Sequence, residues 1–378
     1  MATPGEDEGS LGVEVEDLTA GFSVELDEAI SAICVNPSGS TLAASSLDDE
    51  VLLIDVADGT IKRKLEGHSG GVNSLGFLSD ALLVSAGEDG TAALWEVESG
   101  KLVERYEVEG VDADRTPEGH TVSNVAVSVD GKAFAVSAGK AVHIISVEDT
   151  ELVDDKRKVF PAVGACVEDL KFLPSGELIA GYYGGVSIWS PAVGEQGLEL
   201  PFKGNMLSVS ATPDKAWIIA GCHDATVHIW HLTEGGDMQE LTCGGYEGKV
   251  TSCEFDPSYR WMASTGGNRN VVWDFSGAGP AGSVPTIALG HTKTINCQAW
   301  NPEGGAVLAT GGKDGNLMVY RVESAQTTPY GQAQAKLCFP AAVETMEGDE
   351  ILEVVWGKGG RLYSGHMSGK VRSWVYDS

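Results

Sequence analysis

The chain has 378 residues, with 55 acidic and 25 basic side chains and a formal net charge of −30. That balance argues against direct binding of DNA or RNA, which needs clustered Lys and Arg, and against adhesion to anionic lipid. With 49 glycines, only short aliphatic runs and no apolar stretch of bilayer length, the composition excludes a helical bundle and a membrane-spanning helix.

Residues 1–28 carry nine acids and no base, and residues 1–21 read as an acidic, disordered tail. Neither the basic nor the apolar block of a secretory signal is present at the N-terminus. Seven scattered cysteines, never spaced CxxC, fit neither a disulfide framework nor a four-cysteine zinc site. The expected setting is therefore reducing: the cytoplasm, with the nucleus as the alternative, and not a secreted state.

From residue 22 onward, short strands alternate with turns rich in Gly, Asp, Asn, Ser and Pro. Eight similar strands follow one another: VLLID (51–55), AALWE (92–96), VHIIS (142–146), VSIWS (186–190), VHIWH (227–231), NVVWD (270–274), LMVYR (317–321) and VRSWV (371–375). Their large residues, Ile54, Trp95, Ile145, Trp189, Trp230, Trp273, Tyr320 and Trp374, are spaced 41 to 54 residues apart. Upstream of each runs an alternating strand, as in VNSLGF (72–77), VTSCEF (250–255) and INCQAW (295–300). A Pro/Gly turn such as NPSG (36–39) or NPEG (301–304) comes next, then a second strand and a Gly/Asp turn.

Gly-His pairs at 67–68, 119–120 and 290–291, an Asp in the last turn of several units, and the pair Trp273-Asp274 complete the pattern. In these marks the chain resembles the WD-repeat β-propeller family over residues 22–378, with degenerate first, third and fourth units. The resemblance implies an all-β propeller of four-stranded blades forming one domain, preceded by the tail. Units of about 45 residues favour eight blades, with seven as the alternative. Blades stack because one cannot bury both faces alone. The segment FSVELD (22–27) is expected to supply the outer strand of the last blade and close the ring.

The family pattern also implies buried tetrads. Carried onto this chain, one is His68, Ser85, Asp89 and Trp95; the other is His291, Thr310, Asp314 and Tyr320 in the Trp place. Ser, His and Asp are also the parts of a hydrolase triad, but a triad occurs once and exposes its nucleophile. Recurrence at one repeat position favours a structural role, and no catalytic residue is assigned. The fifth unit keeps Asp224 and Trp230 but has Ala220 in the hydroxyl position. The sixth has Ser264 and Trp273, with Asn268 for Asp and Tyr246 for His. Gly139 and Tyr183 stand where Asp belongs in the third and fourth.

His223, His228 and His231 cluster near Cys222, but His228 and His231 point to opposite faces of a strand. No metal and no cofactor is expected, and the glycine-rich turns lack the arrangement of a phosphate cradle. Asp169 and Glu353 occupy a first-strand slot filled elsewhere by Ser74 and Ser252, where they would line the central channel.

The resemblance implies a non-enzymatic scaffold for protein–protein interaction. Its contact surface is expected on the top rim: Leu47, Glu88, Tyr182, His223, Lys313 and Met367 before the turn Asp or its equivalent, and Tyr246 and Lys293 in the loops leading into the first strands. One alternative is an enzyme, or a small-ligand or metal binder, using the central funnel. Another is an acidic escort for a basic or histone-like protein. Partners are expected to be proteins with basic segments, the chain itself being a monomer or a subunit of a larger complex.

Overall fold

The computed structural model describes residues 18–109, 121–148, 151–152, 158–160, 163–191, 195–233, 235–330 and 333–377. Residues 1–17 of the expected tail and the Gly119-His120 pair lie outside them. Among the described residues only a short 3₁₀ turn, Val322–Ser324, is helical, and no helix is long and apolar enough to cross a membrane.

The strand pattern follows from where each strand sits. In the second unit the inner strand Val72–Phe77 alternates between buried and part-exposed residues. Leu82–Gly87 is buried throughout and Thr91–Glu96 nearly so, whereas the outer strand Lys101–Glu107 is mostly open. Middle strands are covered on both faces by neighbouring sheets, which is why runs such as LLVSAG need no polar alternation.

Seven hydrogen-bonded sheets are arranged as the blades of a propeller, the count given above as the alternative. The first comprises Ile30–Val35, Thr41–Ser46, Val51–Asp55 and Ile61–Leu65. The eight sequence units fit on seven sheets because one sheet is double. In it, Leu178–Ser190 serves as both second and third strand of the fourth unit. Glu195–Ala211 is the outer strand of that unit and the inner strand of the fifth. The fusion has a local cause. Gly184 and Gly185 (φ 118° and 146°) reverse the chain without the usual Gly/Asp turn, and a Cβ on Gly185 would stand 2.2 Å from the Leu200 carbonyl oxygen. Each successive pair of units shares an apolar cluster, including the last with the first through Val24, Ile30, Leu42, Tyr363 and Val371.

Ring closure uses Thr19–Glu25, which pairs antiparallel with Lys370–Val375. This strand starts three residues before the expected FSVELD segment. The stretch 322–338 contains the hairpin Gln326–Tyr330 and Ala333–Cys338. The second arm of that hairpin runs parallel to Thr286–Ala288 and covers the sixth unit's short edge.

Around the channel, the first-strand slot clasps one unit to the next. Ser74 Oγ accepts the Val125 amide at 3.1 Å, Asp169 Oδ2 the Val209 amide at 2.8 Å, and Ser208 Oγ the Cys253 amide at 3.1 Å. Lys171 reaches Asp169 at 3.0 Å from the same strand. Glu353 stands in this slot without a hydrogen bond among the described residues, and burial pushes its carboxyl up to about 7.

Candidate functional site

The top of the propeller is built from the loop leading into each inner strand and the turn between second and third strands. In five units the expected rim residue donates its backbone N–H to a carbonyl where the inner strand begins, just before it in four units and, in the fifth, at Asn205 within the continuous strand Glu195–Ala211. The pairs are Leu47 to Ala29, Glu88 to Gly71, His223 to Asn205, Lys313 to Thr294 and Met367 to Glu350, at 2.8 to 3.0 Å. With its amide tied down, each of these residues projects its side chain outward. Leu47 is 59% and Met367 50% exposed, and Glu88, His223, Lys293 and Lys313 are open to solvent.

Two residues expected on this rim point inward. Tyr182 is buried, its hydroxyl 2.9 Å from Ser187 Oγ, and its neighbour Tyr183 is the exposed one. Strand alternation through Leu178–Ser190, which replaces the expected turn, decides which of the two faces out. Tyr246 turns its hydroxyl into the sixth unit, 2.6 Å from Ser264 Oγ, and takes a weak 3.4 Å bond from Trp273 Nε1. Burial raises its phenol well above the ordinary value. It occupies the space that an imidazole fills elsewhere.

Beneath the rim lie the polar sets. Trp95 Nε1 donates to Ser85 Oγ at 2.8 Å, Ser85 Oγ lies 2.7 Å from His68 Nε2, and His68 Nδ1 lies 3.0 Å from Asp89 Oδ2. A carboxylate only accepts, so Nδ1 carries the proton and Nε2 accepts from the serine. Asp89 also takes the Ser69 and Thr91 amides. Burial pushes its carboxyl up, but the donors from His68 and Thr91 outweigh this and hold it well below the carboxylate range. His291, Thr310 and Asp314 repeat the arrangement at 2.8 and 3.0 Å, while Tyr320 donates instead to the Leu289 carbonyl at 3.0 Å. Ser85 and Thr310 are fully buried.

A further set in the last unit escaped sequence reasoning. Trp374 Nε1 donates to Ser364 Oγ at 3.2 Å, and Ser364 Oγ lies 2.9 Å from His366 Nε2. His366 Nδ1 stands 3.4 Å from Asp349 Oδ2, and Asp349 takes both the amide and the hydroxyl of Ser368. Here the imidazole comes from the second strand and the carboxylate from the lead-in loop, the reverse of the other sets. Its chain order is permuted relative to the repeat pattern, so the repeat spacing does not mark it. Burial lowers the His366 imidazole to about 4. In the fourth and fifth units Trp189 Nε1 and Trp230 Nε1 are buried without a partner.

The three histidines near Cys222 do not converge. His223 is exposed, buried His228 packs on Phe202 with ring centroids 4.0 Å apart, and His231 stacks on Trp217 at 3.8 Å. Among the described residues no group of three His, Cys, Asp or Glu side chains is placed to hold a metal.

A family model described as "WD domain, G-beta repeat" matches residues 59–96, 199–231, 238–274 and 283–321. Ribosome biogenesis protein YTM1 of Eremothecium gossypii is 22% identical over 353 residues, covering 92% of this chain and 75% of that protein. Telomerase protein component 1 of Rattus norvegicus is 24% identical over 79% of this chain, and actin-interacting protein 1 of Caenorhabditis elegans 22% over 72%. The chain spans only 11% and 42% of these two relatives. The crystal structure of the computationally designed Ika8 protein superimposes with a TM-score of 0.69 at 17% identity, covering 93% of this chain and 98% of that one. That likeness is one of fold.

Proposed function

Because this chain is a WD-repeat β-propeller protein, we propose that it is a non-enzymatic platform that assembles other proteins on its top rim. WD-repeat propellers generally act as interaction platforms, and the relatives' names, in ribosome biogenesis and actin interaction, fit that role. The observation that carries the reading is the ring of five outward side chains on backbone amides tied to the lead-in loops. A partner docking there meets a surface already ordered, so little entropy is lost in the scaffold.

The Ser-His-Asp sets support the same conclusion. Ser85 Oγ is out of reach of a substrate and already accepts the Trp95 N–H, which leaves no approach for an acyl group. All seven cysteines are free thiols, in keeping with work in the cytoplasm or nucleus.

The test is affinity purification from native cells with wild type and a Leu47→Ala, His223→Ala, Lys313→Ala, Met367→Ala variant whose thermal unfolding is unchanged. The reading requires a defined partner that comes down with wild type and is lost with the variant. A partner retained by the variant moves the site off this rim, and no reproducible partner at all removes the platform role.

A further inference from the structure

The lead-in loop of the last unit carries no imidazole inward, and beside it an open cleft of about 410 Å³ lies between the seventh and eighth units. Met346, Glu347, Asp349, Met367, Lys370 and Arg372 line it. Lys370 and Arg372 sit two residues apart on the strand Lys370–Val375 and therefore share a face.

These two cations differ from many others in the chain. Lys62, Lys64, Lys215 and Arg260 are each held by a carboxylate at 2.7 to 3.1 Å. Lys370 and Arg372 form no ion pair among the described residues, and Arg372 Nε is buried without a hydrogen-bond partner. A buried N–H left unpaired is a standing cost that an incoming acceptor relieves. Of the acids beside these cations, Glu25 is the register partner of Lys370 on the closing strand, and Asp349 in the cleft has its oxygens engaged by Ser368.

We propose that this cleft docks an Asp or Glu side chain of a partner segment, with an adjacent apolar residue of that segment seated on exposed Met367. The proposal rests on the platform reading and names the chemistry of one partner at that rim. A planar carboxylate matches the guanidinium fork in two parallel bonds. Asp349 and Glu347 line the same cleft and oppose a dianion, so a singly charged carboxylate suits it better than a phosphoryl group. Methionine adapts to varied apolar neighbours, which suits the mouth of such a site. The net charge of −30 repels acidic peptides elsewhere on the surface, so recognition of one demands a local site of this kind.

The experiment is selection of random dodecapeptides displayed on phage against the full chain, with Arg372→Gln, Lys370→Gln and Glu347→Gln variants checked for unchanged thermal unfolding. Wild type should enrich Asp or Glu next to an apolar residue. Arg372→Gln should weaken a selected peptide roughly tenfold to a hundredfold by fluorescence anisotropy. Lys370→Gln, which removes an ammonium without a bidentate fork, should weaken it less, and it tests the site even if Arg372→Gln misfolds. Glu347→Gln should tighten binding, which damage to the fold would not do. Acidic enrichment that survives both cation variants overturns the proposal, as does a phosphoserine peptide that binds more tightly than its Glu counterpart. Selected peptides without acids that still need Met367 leave the platform standing and remove the carboxylate site. Failure to enrich any peptide removes both.

Discussion

The imidazole of His68 lies over the α-carbon of Gly87, so closely that a Cβ on that glycine would stand 2.5 Å from Nδ1. Gly312 stands in the same relation to His291, at 2.8 Å. At the equivalent position of the last unit the residue is His366, and the strand itself delivers the imidazole. Two routes thus bring the same ring to the same hydroxyl, and glycine is needed only where the ring arrives from the loop.

Gly87→Ala tests this packing. The atoms it meets are a ring nitrogen and a carboxylate oxygen of a closed network, and neither can retreat without breaking bonds to Ser85 or Asp89. The expected loss is about 1–3 kcal/mol, read from the urea midpoint. A midpoint equal to wild type would show that the network is loose.

In the fifth unit the converse change should stabilise. Trp230 Nε1 is buried and unpaired, and Ala220 stands at the register where Ser85 receives the Trp95 N–H. Ala220→Ser supplies an acceptor with one added atom and is expected to gain about 1 kcal/mol. Chemical denaturation measures it; a loss would mean that the oxygen is left without geometry to reach the indole.

Glu353→Gln should change the pH dependence of unfolding in a defined direction. The folded carboxyl is raised by burial from its ordinary value of 4.5 to about 7. Below the lower value both states are protonated and the residue costs nothing. As pH rises toward 7 the unfolded chain releases its proton while the folded one keeps it, so stability falls. The variant should therefore match wild type near the acid end, gain on it up to neutrality, and hold a constant advantage above. An advantage that is flat across the whole range would assign the effect to packing instead.

Removing residues 1–27 takes away Thr19–Glu25, the outer strand of the last unit, together with the bond from the Phe22 amide to Ser373 Oγ at 2.8 Å. The strand Lys370–Val375 then becomes a free edge. The shortened chain is expected to unfold at lower temperature and to self-associate in sedimentation velocity. A peptide spanning 17–28 should reverse both; a monomer of wild-type stability would show that closure contributes little.

Much of the propeller was legible in the sequence because its causes are local. Alternating inner strands, Pro/Gly turns and a large residue recurring in each unit are set by neighbours within a few positions. The tetrad of His68, Ser85, Asp89 and Trp95 follows a fixed spacing for the same reason, and so its bonds connect the residues that the family pattern pairs. The permuted set around His366 has the same atoms in another chain order, and no spacing rule finds it.

What the sequence determined by itself was the repeat and the all-β class. Only the tertiary structure decided that two units share one sheet, because that depends on Glu195–Ala211 running unbroken from the outer strand of one unit into the inner strand of the next. It alone turned Tyr182 and Tyr246 inward, since facing follows from strand continuity and from the space that a missing imidazole leaves. It also left Arg372 unpaired beside a cleft between neighbouring units. Contacts between units join residues tens of positions apart, and a periodic sequence repeats what each unit needs for itself rather than what it meets next door.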